Sequence, residues 1–494
     1  MKNYKYIGLL LLSIGFTSCD VNNELDEIPV AEEAQVALNV NGLDFSKYVS
    51  IGASFTAGYT DGALFIAGQE NSFPNILAQK FGTEFKQPLM NDNIGGLVYG
   101  GAVVQPPRFY FNGSGPERLN AVPTTEMTTV LTGPFNNFGA PGAKSFHLGV
   151  AGYGQLNPYF GRMASSPSAT VIGDVMAQSP TFFTLSEMGG NDVLGYALAG
   201  GDGVDRSPNT AANLNPSNYG PNDITNPNVF ASVFSNMVTT LTANGAKGVV
   251  ANLPYITNLA NFITVPYNPV PLDAGTASAL NSGYATYNGG LLYAAANNLI
   301  DANEVTKRTI NFTEGQNAVV IVDEYLTDLT GYGIPSYRQA TEDDLLILAS
   351  SAFIGTLANP NDPTTVNGIG VPLADKWVLT PEEQLAIKTA TDSYNTTIAA
   401  VAAANPNIVM VDFKGLLEEA ATGITFGEYS MTTSLVTGGL ISLDGVHLTS
   451  RGYALMANKI LGAIDAEFGS NFTTATGGLA KADDYQTNYS PLLR

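Results

Sequence analysis

The sequence predicts an α/β protein with a mostly parallel central sheet that is covered by helices on both faces. Short apolar, β-prone runs occur at 48–51, 180–188, 248–253 and 407–413. Helical patterns lie between or after them, at 228–241, 381–404 and 450–468. Strands that alternate with helices along a chain are typical of parallel sheets, because each crossover connection lays a helix on a face.

Three turns follow predicted strands. Ser54 comes after the run at 48–51 and Gly52, Asn191 follows the run at 180–188, and Gly142 lies in a Phe-Gly-Ala-Pro-Gly-Ala stretch. The carboxyl ends of parallel strands meet at the same edge of a sheet. We therefore expect these three residues to lie close together.

The longest predicted helix begins at a capping box. Thr380 is followed by Pro381, and Glu383 stands three residues after the threonine. This arrangement satisfies free backbone N–H groups, and proline suits the first helical position. A helix from 381 to about 404 is expected.

Two long segments interrupt the predicted core of residues 44–470. They cover about 59–135 and 254–379, and the second is predicted to contain a hairpin of 308–312 with 318–323 and a helix around 345–353. The first segment joins the turn at Ser54 to the turn at Gly142, and this position favours a role for it as a wall of the site. Residues 471–494 are predicted to be a C-terminal tail.

Composition limits the classes of partner. Of the 494 residues, 45% are hydrophobic and 13% are charged, as in a globular chain. The formal net charge is −22 and there is no basic run, so nucleic acid is excluded as a partner.

The N-terminus has the pattern of an export signal. Lys2 and Lys5 precede an apolar stretch at 7–16, which is too short to cross a bilayer as a mature helix. The stretch ends in Phe-Thr-Ser before Cys19, the only cysteine. This resembles the lipobox of bacterial lipoproteins, and the acidic residues after Cys19 resemble surface-export signals in Bacteroidetes. The resemblance implies a signal peptide at 1–18, lipidation of Cys19, a tether at 19–43 and anchoring in the outer membrane, facing the periplasm or the cell surface.

Only two histidines are available as a catalytic base, His147 and His447. Asp444 precedes His447 by three residues, where a carboxylate can orient the ring and stabilise its charged form. His147 has no such neighbour in the sequence. His447 is the predicted base, and His147 is predicted to be structural.

Four motifs in this order resemble the blocks of the SGNH (GDSL-type) hydrolases. They are Gly-Ala-Ser-Phe at 52–55, Asn-Phe-Gly-Ala-Pro-Gly-Ala at 137–143, Glu-Met-Gly-Gly-Asn-Asp at 187–192 and Asp-Gly-Val-His at 444–447. Each motif alone is weak, whereas four in the family order are not expected by chance. The resemblance implies a three-layer α/β/α sandwich of the flavodoxin-like SGNH type.

The resemblance also implies the roles of the site residues. Ser54 is the nucleophile, His447 its base, and Asp444 orients the ring. The oxyanion hole is formed by the N–H groups of Ser54 and Gly142 and by the Asn191 amide. No cofactor is implied, and the sequence contains no His/Cys cluster typical of a metal site.

Two residues depart from the family pattern. Ala53 stands where the family has aspartate, and Phe55 stands where it has leucine. Neither position supplies the nucleophile, the base or an oxyanion donor. The substitution at Ala53 leaves open how the turn that carries Ser54 is held.

The sequence is compatible with two classes of function. The first is an extracytoplasmic carboxylic ester hydrolase acting on a lipid or an acylated glycan, either as an esterase or lipase or as an O-acetyl-glycan deacetylase. The second is a surface lipoprotein that binds a ligand without catalysis. Retention of both Asp444 and His447 favours the enzyme.

Overall fold

Five strands form an all-parallel sheet in the order β5-β4-β3-β1-β2. Their bounds are Tyr48–Gly52 (β1), Asn137–Gly139 (β2), Phe182–Leu185 (β3), Lys247–Ala251 (β4) and Ile408–Val411 (β5). The apolar runs correctly predicted β1, β3, β4 and β5. Most residues of these strands are buried, which explains why their sequences are apolar runs without alternation.

The computed structural model describes residues 35–494, and residues 38–494 form one compact unit. The predicted signal peptide, Cys19 and most of the predicted tether lie outside the described residues. None of the helices in the described part is long and apolar enough to cross a membrane.

Thirteen α-helices accompany the sheet in the described residues. They are Ser54–Ala57 (α1), Ile66–Glu70 (α2), Phe73–Phe81 (α3), Pro158–Gly161 (α4), Val171–Ala177 (α5), Asn191–Leu198 (α6), Pro227–Thr242 (α7), Ala260–Ile263 (α8), Ala274–Ala296 (α9), Ala302–Arg308 (α10), Pro381–Ala404 (α11), Phe413–Thr422 (α12) and Ser450–Phe468 (α13). Helix α11 packs on α6 and α7, while α13 packs on α3, and both α11 and α13 contact β5. The structure is therefore mixed α/β with a parallel sheet.

The predicted helix starts agree with the structure because each rests on a local signal. The capping box at Thr380 is present, with its backbone N–H donating to Glu383 Oε2 at 2.7 Å. Helix α13 begins after Thr449, whose hydroxyl accepts from the Gly452 N–H at 3.0 Å. These bonds satisfy N–H groups that have no partner inside the helix.

Six antiparallel two-stranded pairs lie outside the central sheet. They are Leu97–Tyr99 with Ala102–Gln105, Phe109–Phe111 with Pro116–Arg118, Val270–Leu272 with Gly315–Asn317, Val320–Val322 with Tyr337–Gln339, Leu345–Leu346 with Val378–Leu379, and Ile424–Phe426 with Tyr429–Met431. Five of the six lie in the two predicted insertions, and only the pair of Ile424–Phe426 with Tyr429–Met431 lies outside them.

Two predictions inside the second insertion are wrong. The predicted hairpin of 308–312 with 318–323 does not form, because Val320–Val322 pairs with Tyr337–Gln339 instead. The predicted helix around 345–353 is a short strand, Leu345–Leu346, followed by the 3-10 helix Leu348–Ala352. These strands pair as they do because they are buried in a separate hydrophobic cluster of this insertion. Local sequence patterns do not indicate which residues join that cluster.

The C-terminal residues 471–494 pack against the rest of the unit. Phe472 is fully buried, and the Tyr489 ring lies over Phe65 with centroids 4.9 Å apart. The buried guanidinium of Arg108, from the first insertion, donates to the Ser490 carbonyl at 2.7 Å. The segment therefore contributes to the packing of the first insertion.

Candidate active site

Ser54 is the first residue of α1, directly beyond the carboxyl end of β1. Its side chain is almost fully buried, and its carbonyl accepts from the Tyr59 N–H at 2.9 Å. The Ser54 N–H makes no hydrogen bond within residues 35–494. A tight strand-to-helix turn thus leaves both the hydroxyl and an N–H group available at the edge of the sheet.

Glu187 holds this turn in place. Its Oε1 accepts from the N–H groups of Ala53 at 2.5 Å and Thr56 at 3.0 Å, on either side of Ser54. Its Oε2 accepts from the Thr56 hydroxyl at 3.1 Å and from the Ser186 hydroxyl. One carboxylate therefore fixes the backbone before and after the serine. This explains how the turn is held although position 53 is not an aspartate.

Burial raises the pKa of Glu187, and its four hydrogen bonds oppose that shift. Glu187 is the first residue of the third motif, and the family resemblance implies no role for it. The sequence did contain a signal for a structural role, because a single carboxylate at the end of a buried strand needs hydrogen-bond donors. Which donors it meets depends on the pairing of β1 with β3, where Ile51 lies opposite Leu185.

Asp444 and His447 form the predicted pair. The His447 Nδ1 lies 2.8 Å from Asp444 Oδ2, and the backbone N–H groups of Val446 and His447 donate to Oδ1 at 2.8 and 2.9 Å. Burial opposes ionisation of Asp444, but the charge and hydrogen bonds of His447 hold its pKa well below the usual range. The carboxylate is therefore charged at neutral pH and suited to stabilise an imidazolium.

The ring of His447 lies beside the turn that carries Ser54. The imidazole packs against Phe55 and Tyr59, with centroid distances of 5.2 and 4.6 Å. Nε2 is buried and has no hydrogen-bond partner among the described residues, Ser54 included. Hydrogen bonds of catalytic groups are often long without substrate and shorten in the complex.

Both insertions hold the loop that carries this pair. From the first insertion, the Gly62 N–H donates to Asp444 Oδ2 at 2.8 Å. From the second, the Asn261 N–H donates to the Gly445 carbonyl at 2.8 Å, and the Asn261 amide donates to the Asp444 carbonyl at 3.2 Å. None of these contacts was predicted from the sequence.

Gly142 and Asn191 are held next to one another. The Ala143 N–H donates to the Ala140 carbonyl at 2.9 Å, and Gly142 between them has φ +80°, which together with Pro141 describes a type II turn. Glycine suits this left-handed position, and its N–H has no acceptor in the described part of the chain. The Asn191 amide donates to the Ala143 carbonyl at 2.9 Å, which leaves its second N–H for another acceptor.

A cavity of about 110 Å³ adjoins Ser54. The polar residues that line it are Ser54, Glu187, Asn191 and Asn252, and most of the remaining wall is apolar. The apolar residues are Phe55, Val193, Leu194, Leu253, Pro254, Ile256, Leu259, Phe413, Leu416, Leu417, Leu440, Ile441, Val446, Leu448 and Met456. This volume holds several water-sized groups, each needing about 10–15 Å³.

The expectation that residues 59–135 form the pocket wall is wrong for this cavity. None of them lines it, whereas Pro254, Ile256 and Leu259 at the start of the second insertion do. Tyr59 and Gly62 instead contact the His447–Asp444 pair. The first insertion therefore supports the loop that carries Asp444 and His447, which the positions of its two ends in the sequence did not indicate.

His147 lies on the 3-10 helix Ser145–Gly149, away from the cavity wall. Its ring stacks on Tyr153 at 4.6 Å, and its Nδ1 accepts from the Lys144 N–H at 3.0 Å. Burial lowers its pKa to about 4, with the Lys144 charge acting in the same direction. A neutral, packed imidazole agrees with the structural role predicted for it.

A buried carboxylate, Asp61, lies beside the loop that carries Asp444 and His447 and gives a pH-dependent prediction. Burial raises the pKa of Asp61 from 3.8 to about 7, and Asp444 adds repulsion. Between these values the unfolded chain releases the proton and the folded chain retains it, so stability is lost as pH rises from about 4 to about 7. The Asp61→Asn variant is expected to gain about 2–3 kcal/mol relative to wild type between pH 5 and pH 8.

Urea denaturation of both proteins at the two pH values measures this difference. Asparagine preserves an acceptor for the Leu443 N–H, which donates to Asp61 Oδ1 at 3.0 Å, and tolerates the positive φ at this position. Parallel stability curves for the two proteins would contradict the prediction.

No protein-family model, curated protein or solved structure matches the chain.

Proposed function

We propose that the chain is a serine ester hydrolase of the SGNH kind, with Ser54, His447 and Asp444 as its triad. The observation that carries the proposal is the arrangement at the carboxyl edge of the sheet. Ser54 and Asn191 share the wall of an apolar cavity, and the hydrogen-bonded His447–Asp444 pair packs on Phe55, the residue after Ser54. Four separate motifs in the sequence meet there.

The strand order supports the finer fold assignment. The order β5-β4-β3-β1-β2, all parallel, corresponds to the 2-1-3-4-5 order of flavodoxin-like sheets read in reverse. Helix groups α6–α7–α11 and α3–α13 are available to cover two faces. We infer a three-layer α/β/α sandwich with two insertions.

The chemistry follows from the two halves of the site. Ser54 Oγ forms a bond to the ester carbonyl carbon while its proton passes to His447 Nε2. Collapse of the tetrahedral adduct breaks the carbon–oxygen bond to the alcohol, which leaves with the proton from Nε2. Water then attacks the acyl-serine with His447 again as base, and releases the acid. Asp444 stays ionised and bonded to Nδ1 throughout.

Three donors are available for the oxyanion. They are the free N–H groups of Ser54 and Gly142 and the second N–H of the Asn191 amide. Donors fixed in advance cost no reorganisation when charge develops on the carbonyl oxygen, and loss of one typically costs about 3–4 kcal/mol in transition-state stabilisation.

The cavity favours an acyl group of several carbons over acetate. An acyl chain bound against apolar walls is stabilised by about 25 cal/mol of binding free energy for each Å² of apolar surface removed from water. An acetyl group would leave most of the space unfilled. This favours an esterase or lipase over an O-acetyl-glycan deacetylase.

A series of p-nitrophenyl esters tests this function. We expect kcat/KM to rise by about 10–100-fold from acetate to hexanoate. Each buried methylene contributes roughly 0.8 kcal/mol of binding free energy, and the cost of ordering the chain reduces the total. Leu416→Trp, in the cavity wall, should remove this rise while leaving acetate turnover. The control is Leu385→Trp, at a residue that is 63% exposed. A preference for acetate in wild type would support the deacetylase instead.

We further propose that the enzyme is an outer-membrane lipoprotein anchored through Cys19. The support is the lipobox-like sequence and the single cysteine. Metabolic labelling with a fatty-acid analogue is expected to mark wild type, and Cys19→Ser should lose both the label and membrane association. A soluble, unlabelled wild-type protein would contradict the anchor.

A further inference from the structure

A group of three carboxylates lies apart from the proposed catalytic site. It consists of Glu324 and Asp375 from the second insertion and Glu383 from the first turn of α11, each offering one ligand oxygen within 4.8 Å of the others. No lysine or arginine of the described residues forms an ion pair with any of them. Nearby Asp323, in contrast, is neutralised by Arg338 at 2.5 Å.

Glu383 is fully buried, and half of its carboxylate is unused. Its Oε2 accepts from the Thr380 N–H and hydroxyl at 2.7 and 2.9 Å, whereas Oε1 has no partner among the described residues. Asp375 Oδ1 is likewise buried and unpartnered. A buried carboxylate oxygen without a donor is costly, so two of them in one cluster point to a missing positive ligand.

The backbone closes around this cluster. Gly201, in the turn that follows α6, has φ +86°, and a Cβ there would lie 1.9 Å from Glu383 Oε1. The turn therefore approaches the carboxylate as closely as only glycine permits.

We propose that Glu324, Asp375 and Glu383 bind one Ca²⁺ ion that joins the second insertion to the core of the fold. Calcium takes oxygen ligands at about 2.3–2.6 Å in flexible geometry, so two oxygens bound to one ion lie at most about 5.2 Å apart, which accommodates a set within 4.8 Å. Mg²⁺, at about 2.1 Å, allows at most about 4.2 Å and demands near-octahedral geometry. Solvent at the exposed Glu324 side completes the coordination shell.

The position of the ion links it to the catalytic edge. Helix α6 begins at Asn191, and its C-terminal turn at Gly200–Gly201 contacts Asp375 and Glu383. Glu324 and Asp375 belong to the insertion whose Asn261 contacts the Asp444–His447 loop. The ion therefore holds an insertion against a core helix and does not contact the reacting groups.

The test uses the full-length protein, purified in detergent, treated with EDTA and dialysed. We expect 5 mM CaCl₂ to raise Tm by about 2–5 °C, and calorimetric titration with CaCl₂ to give one site. Glu383→Gln and Glu324→Gln should weaken Ca²⁺ binding at least 10-fold. The matched control is Glu382→Gln, which removes the same charge from the exposed neighbouring position and should retain the site.

Glu324→Gln changes an exposed side chain, so it remains informative if Glu383→Gln fails to fold. Absence of both heat and a Tm shift with CaCl₂ in wild type would overturn the proposal. A shift that persists unchanged in Glu324→Gln, or one of equal size with MgCl₂, would overturn the assignment to these residues or to Ca²⁺.

Discussion

Replacement of Ser54 with alanine is expected to reduce hydrolysis of p-nitrophenyl hexanoate by about 10⁴–10⁶-fold, to a residual rate due to the oxyanion hole and substrate binding. The alanine variant retains the free N–H and the contacts of Glu187 with Ala53 and Thr56, so the fold should be unchanged. Labelling by a fluorophosphonate probe should be lost completely. The Ser442 hydroxyl also adjoins the His447–Asp444 pair, but it donates to Asp444 Oδ1 at 3.1 Å and is not expected to react.

The His447→Ala variant provides the second half of this test. Serine and histidine act as one unit, so His447→Ala is expected to cost as much as Ser54→Ala, and the double variant little more. His147→Ala is the matched control and should keep most activity if it folds. Additive losses, or undiminished turnover without Ser54, would contradict the triad.

The second large effect is expected at Glu187, as a positioning residue. Glu187→Ala removes the acceptor of the Ala53 and Thr56 N–H groups in a buried turn. Leaving buried donors unpaired costs about 1–3 kcal/mol each, so the free energy of unfolding should fall by about 3–5 kcal/mol. Displacement of Ser54 should lower kcat about 10²–10³-fold with little change in KM.

The rate of fluorophosphonate labelling, measured well below Tm, separates positioning from stability. Glu187→Gln retains a carbonyl oxygen for both N–H groups and should recover most of the labelling rate. Asp465→Ala is a control for destabilisation alone, because Asp465 accepts from Phe472 and Thr473 N–H groups in a different part of the fold. Equal labelling of wild type and Glu187→Ala would exclude a positioning role.

Local signals allowed much of the fold to be predicted. The apolar runs of β1 and β3–β5, the capping box at Thr380 and the last helix depend on neighbours within a few residues, and all are present. Predictions inside the second insertion failed in the choice of strand partner, because Val320–Val322 pairs with Tyr337–Gln339 and not with the preceding β run. A short β run does not identify its partner, because pairing depends on burial in the assembled core.

The candidate site divides in the same way. Asp444 and His447 are three residues apart, so the sequence alone indicated their contact, and the motif order indicated Ser54, Gly142 and Asn191. Three other features were revealed only by the tertiary structure. They are the hydrogen bond from the Ser54 turn to Glu187, the hydrogen bond from Asn261 to the Asp444–His447 loop, and the apolar cavity beside Ser54.

The sequence by itself determined four strands of the central sheet, the capped helices and the Asp444–His447 pair, because those signals are periodicity, turn chemistry and short spacing. The candidate nucleophile Ser54 came from the resemblance to the SGNH motifs. Only the tertiary structure decided that the second insertion lines the cavity and that both insertions support the loop that carries Asp444 and His447. It alone brought Glu324, Asp375 and Glu383 together. Contacts between residues 50 or more positions apart arise from the packing of whole elements, and sequence separation carries no information about which elements will meet.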